Sequence, residues 1–346
     1  MADELLNDGD DDIFVYTGGR APRDVRRAKI DESIDTIPRR AFYDCEELIE
    51  VEGHNKLKKI EKNAFRVCRR LRRVTKMNGV IEIEDGAFLG CHALRDAELF
   101  EKLEIIGEFA FDHCRALMMS LNMPSIRRVG ACAFQCCKAL TDAVFGKHLG
   151  IIDDNAFNCC DSLRRIAIPL KRSLIIGIIP MPIRTLATDG ENPLGLFDSE
   201  SLYASLSGAF RNCASLSRVD AVGGIHKTIS SLHMESWKDT MKEDIDRINQ
   251  TLPDTPSRSR EKTEAIIEWI DSVIDRMEHY KSEHFTLVKE AMTLLELALW
   301  KANLHENDGN ESELTMVQRK KVRQERRITS GASIVIKNVL PFLKLK

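Results

Sequence analysis

Along the first two thirds of the chain the apolar positions recur with one long, fixed period. The dipeptide Ala-Phe stands at Ala41-Phe42, Ala64-Phe65, Ala87-Phe88, Ala110-Phe111, Ala133-Phe134 and Ala156-Phe157, a step of 23 residues each time. Three residues beyond each Phe comes a cysteine (Cys45, Cys68, Cys91, Cys114, Cys137, Cys160), and three beyond that a leucine (Leu48, Leu71, Leu94, Leu117, Leu140, Leu163). A seventh copy, Ala209-Phe210-Cys213-Leu216, follows 53 residues after the sixth, which is two periods plus seven. One repeat has therefore degenerated and taken an insertion, between about residues 169 and 200.

Ala, Cys and Leu at i, i+4 and i+7 predict one face of a short helical turn. The alternating stretch after the leucine, as in Ile49-Glu50-Val51 or Arg165-Ile166-Ala167-Ile168, predicts a strand. Apolar residues seven and four positions before each Ala, such as Ile34 and Ile37 or Leu57 and Ile60, close the apolar side of the unit. A unit this short cannot bury those residues alone, whereas stacked units cover one another, and the result is a solenoid. Running the register backwards puts Val25, Ala28 and Ile30 on strand positions, so a bare strand is expected to open the array as its N-terminal cap.

After about Gly224 the period becomes helical. Trp237, Met241, Ile245, Ile248 and Leu252 form one stripe, ended by Pro253 and Pro256. A longer stripe follows through Ile266, Ile270, Val273, Met277, Tyr280, His284, Leu287, Ala291, Leu294 and Ala298, with a break or kink allowed at His279 to His284. The longer helix is expected to pack antiparallel to the first and cover the open end of the solenoid; the other use of such a stripe is a coiled coil between two chains. Asp308-Gly309-Asn310 reads as a loop, and Ser333 to Leu343 is apolar enough that it should dock. The organisation read from the chain is an acidic leader (1–24), the solenoid (25–222, with the insertion at about 169–200), a helical module (225–305), and a basic loop with an apolar C-terminal element (306–346).

The unit I-x-x-x-A-F-x-x-C-x-x-L-x-x-I-x-I-P resembles the leucine-rich repeats of the BspA type, over about residues 25 to 222. The resemblance implies an α/β repeat solenoid of parallel β-strands, here followed by an all-α C-terminal module. It also implies adhesion or protein interaction, with no catalysis.

Charge narrows the function further. The 346 residues carry 51 Lys and Arg against 54 Asp and Glu, a net charge of -3, so there is no global basic excess to draw phosphate and a nucleic-acid partner is not expected. Two local basic runs stand out: Arg66, Arg69, Arg70, Arg72, Arg73 and Lys76, and later Arg319, Lys320, Lys321, Arg323, Arg326 and Arg327. Neither is interleaved with aromatics, which argues against single-stranded binding. Met1 to Asp12 is acidic and lacks the basic and apolar regions of a secretory signal, and the longest apolar run, Leu174 to Ile183, holds two prolines. An intracellular, cytoplasmic protein without a membrane partner is expected, with nuclear import through the Arg319 to Arg327 run as the alternative.

No phosphate-binding loop, dinucleotide fingerprint, zinc-protease helix or nucleophile elbow occurs, so neither enzyme activity nor a cofactor is expected. Of ten cysteines seven belong to the repeat and read as small buried hydrophobes. Cys132, Cys136 and Cys159 do not. Cys136 and Cys159 share one repeat position and should stack about 5 Å apart. A disulfide or a metal site is the alternative reading of that pair, but without a C-x-x-C or a histidine pair at zinc spacing no metal site is assigned to them.

The expected function is a protein–protein interaction scaffold that uses the strand face. The alternatives are a regulatory or enzymatic subunit with its site in the helical module, or a nucleic-acid-associated protein using the basic runs. If Val51, Val74, Ala97, Ala143, Ile166 and Val219 point inward, their neighbours point outward. Met119, Leu121 and Val144 would then form an apolar patch, rimmed by Arg73, Asp96 and Arg165, for an unidentified protein partner.

Overall fold

The computed structural model describes residues 13–223 apart from 99, 119 and 177–207, then 229, 234–307 apart from 259, and 315–317. Most of the insertion, the loop at Asp308-Gly309-Asn310, the Arg319 to Arg327 run and the Ser333 to Leu343 element lie outside these residues, as does Met119.

Each repeat makes one coil, and like positions of successive coils pair as parallel strands. On one side run β1 (Phe14–Tyr16), β2 (Arg27–Ile30), β4 (Glu50–Glu52), β6 (Arg73–Thr75) and β8 (Asp96–Ala97), then, as a separate sheet, β10 (Ser120–Met123), β12 (Asp142–Phe145), β14 (Arg165–Pro169) and β16 (Arg218–Val222). A second side is one seven-stranded sheet of two-residue strands: β3 (Thr36–Ile37), β5 (Lys59–Ile60), β7 (Glu82–Ile83), β9 (Ile105–Ile106), β11 (Arg128–Val129), β13 (Ile151–Ile152) and β15 (Ile175–Ile176). The isoleucines expected to close the unit supply its inward positions.

The A-F-x-x-C-x-x-L segment differs from expectation. It is a chain of tight turns rather than a helix, with Cys45 N–H donating to Phe42 O at 3.3 Å and Leu48 N–H to Cys45 O at 3.2 Å. Residues in the left-handed region punctuate it at a constant repeat position, as at Asp44, Val67, Gly90, His113, Cys136, Cys159 and Asn212. The reason is hydrogen-bond accounting: a helix would consume its own N–H groups, whereas these turns aim them at the neighbouring coil. Phe42, Phe65 and Phe88 N–H each donate to the Ala carbonyl of the next coil at 2.7 Å. Both conformations place i, i+4 and i+7 on one side, so the spacing did not separate them.

The core is a stack of rings. Phe42, Phe65, Phe88, Phe111, Phe134 and Phe157 are fully buried, with successive centroids 5.0 to 5.2 Å apart and nearly parallel planes. Phe210 extends the stack at 5.7 Å. Beside it runs a thiol ladder in which each cysteine after the first donates to the carbonyl of the preceding coil's Phe, as from Cys68 to Phe42 at 3.0 Å and from Cys91 to Phe65 at 3.1 Å, while Cys45 donates to Pro22 O. Cysteine suits the position because it is small, apolar and still a weak donor.

The array opens one strand earlier than the sequence reading placed it. β1, inside the presumed leader, pairs with β2, and its Tyr16 covers the first Phe ring at 4.8 Å while its hydroxyl donates to Gly19 O.

Beyond the repeats lie α1 (Glu235–Thr251) and α2 (Glu261–Asn307). The chain divides into two compact units, one holding the repeats with residues 242–274, the other residues 227–241 and 275–346. In the first unit the helical segment finishes the last coil's ladders. Thr263 Oγ1 accepts from Phe210 N–H at 3.2 Å, Ser257 O from Asn212 N–H at 2.6 Å, and Asn249 Oδ1 from Val219 N–H at 2.7 Å. The buried Lys262 ammonium donates to the carbonyls of Ala214 and Leu216. In the second unit Trp237 stacks on Tyr280 at 5.0 Å. Nothing interrupts α2 at His279 to His284, where a break had been allowed, because no proline or glycine stands there to remove or loosen a hydrogen bond. Among the described residues no helix is long and apolar enough to cross a membrane.

Candidate binding face

On the face formed by β2, β4 and β6 the outward residues pair across coils. Glu50 lies between Arg27, at 4.0 Å, and Arg73, at 3.1 Å. Glu52 lies between Lys29, at 4.0 Å, and Lys76, at 2.9 Å. Nearer the turns Arg69 meets Glu46 at 3.8 Å, and Arg70 meets Glu47. Four of the six bases in the second repeat's basic run thus face acids one coil back. Exposed pairs of this kind contribute at most about 1 kcal/mol each. Their larger effect is to leave this run little uncommitted charge for a polyanion.

Past β6 the pattern changes. Asp96 is exposed and has no ion-pair partner among the described residues, and Ser120 and Asn122 of β10 are exposed too. Val144 points outward, half-buried, between Asn122 and Ala167 of the flanking strands. Further on, Arg165 and Arg218 both hold Asp220, at 2.5 and 2.9 Å. Burial works to raise the Asp220 carboxyl, but these two guanidinium groups outweigh it and leave its pKa below the ordinary aspartate value.

The expected apolar patch is not assembled. Leu121 is fully buried, and it pairs with the inward Ala143, not with the outward position. The cause is one extra residue between Leu117 and Leu121, where the other coils have Leu-x-x-(inward) spacing as in Leu48 to Val51. A one-residue shift turns every following side chain to the opposite face, and it falls where the strand side divides into two sheets. Ser120 and Asn122 therefore take the outward places assigned to Met119 and Leu121. The signal was present in the alternation Leu121-x-Met123, whose two apolar residues are both buried. Of the other expected residues, Asp96 and Val144 share the middle of the face, while Arg73 and Arg165 are committed to Glu50 and Asp220.

Six copies of the BspA type leucine rich repeat region match, over residues 23–130 and 83–176. Together the matched segments span residues 23–176, a little under half of the chain. Solved structures similar to the chain include a leucine-rich repeat protein of T. pallidum, at 26% identity and TM-score 0.38, covering 40% of this chain and 67% of that one. Another is a leucine-rich repeat protein of Bacteroides ovatus, at 22% identity and TM-score 0.38, covering 45% of this chain and 39% of that one. No curated protein matches the sequence significantly.

Proposed function

We propose that the leucine-rich repeat solenoid is a non-enzymatic interaction scaffold, and that the middle of its strand face receives a protein partner. The observation that supports this reading is the contrast along the face. Its first coils neutralise their own charge, whereas Asp96, Ser120, Asn122 and the apolar Val144 stand outward without ionic commitments among the described residues. A rigid surface with a small apolar centre and a polar surround suits a protein contact better than a polyanion. A photo-crosslinking amino acid at Val144 tests it, with the same group at Lys59 on the second sheet as control. Discrete protein adducts from position 144, lost in an Asp96→Arg, Asn122→Arg background, support the reading. Adducts equal at both positions, or none at 144, overturn it.

A further inference from the structure

At the turn corner that leads from one coil's Phe to its Cys, residues 113, 136 and 159 are 23 apart and occupy the same repeat position. The sequence puts a histidine and two cysteines there, and stacking brings them into one row. His113 Nδ1 lies 2.7 Å from Asp112 Oδ1, and one ligand atom each of Asp112, His113 and Cys136 lies within 4.8 Å of the others. Cys136 and Cys159 follow one another in that row, one coil apart, both in the left-handed region. Asp112 is almost completely buried, and among the described residues its one ionic partner is His113.

We propose that Asp112, His113 and Cys136 form a binding site for a divalent cation of the zinc class, with Cys159 supporting Cys136 from the next coil. Carboxylate, imidazole and thiolate together select such an ion over calcium or magnesium, which prefer all-oxygen shells. Bonds of about 2.0 to 2.3 Å place tetrahedral ligands about 3.3 to 3.8 Å apart, so Asp112 and His113, now 2.7 Å apart, must part slightly and exchange their hydrogen bond for bonds to the ion, while no ligand atom has to travel far from a cluster already within 4.8 Å. Binding displaces the thiol proton of Cys136 to solvent and places a positive charge beside the buried Asp112 carboxylate. The turns fix the donors, since His113, Cys136 and Cys159 all sit in the left-handed region, at φ 61°, 57° and 59°.

Cobalt(II) titration of the full, reduced chain tests the site. One equivalent should develop thiolate-to-cobalt charge-transfer absorption with tetrahedral ligand-field bands, and zinc should bleach both. Cys136→Asn should abolish the charge-transfer band, and His113→Asn should weaken cobalt binding more than about tenfold. Asparagine is the suitable replacement because Asn212 already fills this row at φ 55°. In the unmodified protein, zinc should slow alkylation of Cys136 as read by mass spectrometry, a measurement that depends on no variant. Absence of the charge-transfer band, bands unchanged in both variants, or alkylation of Cys136 indifferent to zinc overturns the proposal.

Discussion

Phe111 shows what one residue contributes to this core. Its ring lies between Phe88 and Phe134 at 5.1 and 5.2 Å, with Phe100 tilted against it at 5.6 Å. Three rings line the space it fills, and each is itself held by the next coil, so collapse into a vacancy is restricted. Phe111→Ala should cost about 3 to 5 kcal/mol, measured as a lowered denaturant midpoint; a loss below about 1 kcal/mol would contradict a rigid ring stack. Asp154 is a different kind of contributor. Burial pushes its carboxyl up to about 6, against the opposing hydrogen bonds of Gly208 and Asn155, and its Oδ1 has no partner. The folded-state pKa lies above the unfolded value of about 3.9, so protonation favours the fold. That stability is fully present below about pH 4 and is lost as pH rises through about 6. Other carboxylates titrate in the same range, so the difference between proteins is the measurement. Asp154→Asn should show a melting temperature that gains on the unmodified protein between about pH 4 and 7; a constant difference would mean that burial does not perturb this group.

At the scale of the element, β10 decides which side chains face the partner. The register Leu121 with Ala143 and Met123 with Phe145 puts Leu121 in the core and Val144 outside. Leu121→Asp buries a carboxylate with no cation to meet it and should unfold the middle coils. Val144→Asp should leave the melting transition within about 0.5 kcal/mol. Equal tolerance of both, by circular dichroism, would reject the one-residue shift. The same strand shows what a sequence can and cannot disclose. The 23-residue period revealed the coils, the Phe and Cys ladders and the sheet order, because each is a consequence of exact repetition. The turn conformation was not legible, since helix and stacked turns share their spacing, nor was β10's register, since a period extrapolated through Leu117 hides a single inserted residue. The row of His113, Cys136 and Cys159 was legible in principle. Its members are of two residue types, so the two cysteines that share the position stand out while the histidine one coil earlier does not.

For the whole molecule the decisive question is how a stack of coils ends. Every coil but the last gives its turn N–H groups to the next, while its strands pair with both neighbouring coils, and a repeat array without an end cap leaves the last set open for another chain. Here Tyr16 covers the first Phe ring, and residues 249–263 take over at the other end through Asn249, Ser257, Lys262 and Thr263. Phe210, Cys213 and Leu216 of the last coil are fully buried. Lys262, about 2% exposed, is the informative residue, because burial lowers its pKa and yet its ammonium is anchored on two carbonyls. Lys262→Ala removes both donors and should cost about 1 to 3 kcal/mol for each carbonyl left dry. Lys262→Arg, whose planar fork does not reproduce the point charge, should recover only part of this loss. A chain ended at Gly223 loses the whole cover at once. It should therefore aggregate with rising concentration in light scattering, while the full chain carrying Phe111→Ala, destabilised in the middle but covered at both ends, should not at temperatures where it stays folded. If the shortened chain remains monodisperse and melts with the full chain, residues 242–274 are an appended module and the repeats close themselves.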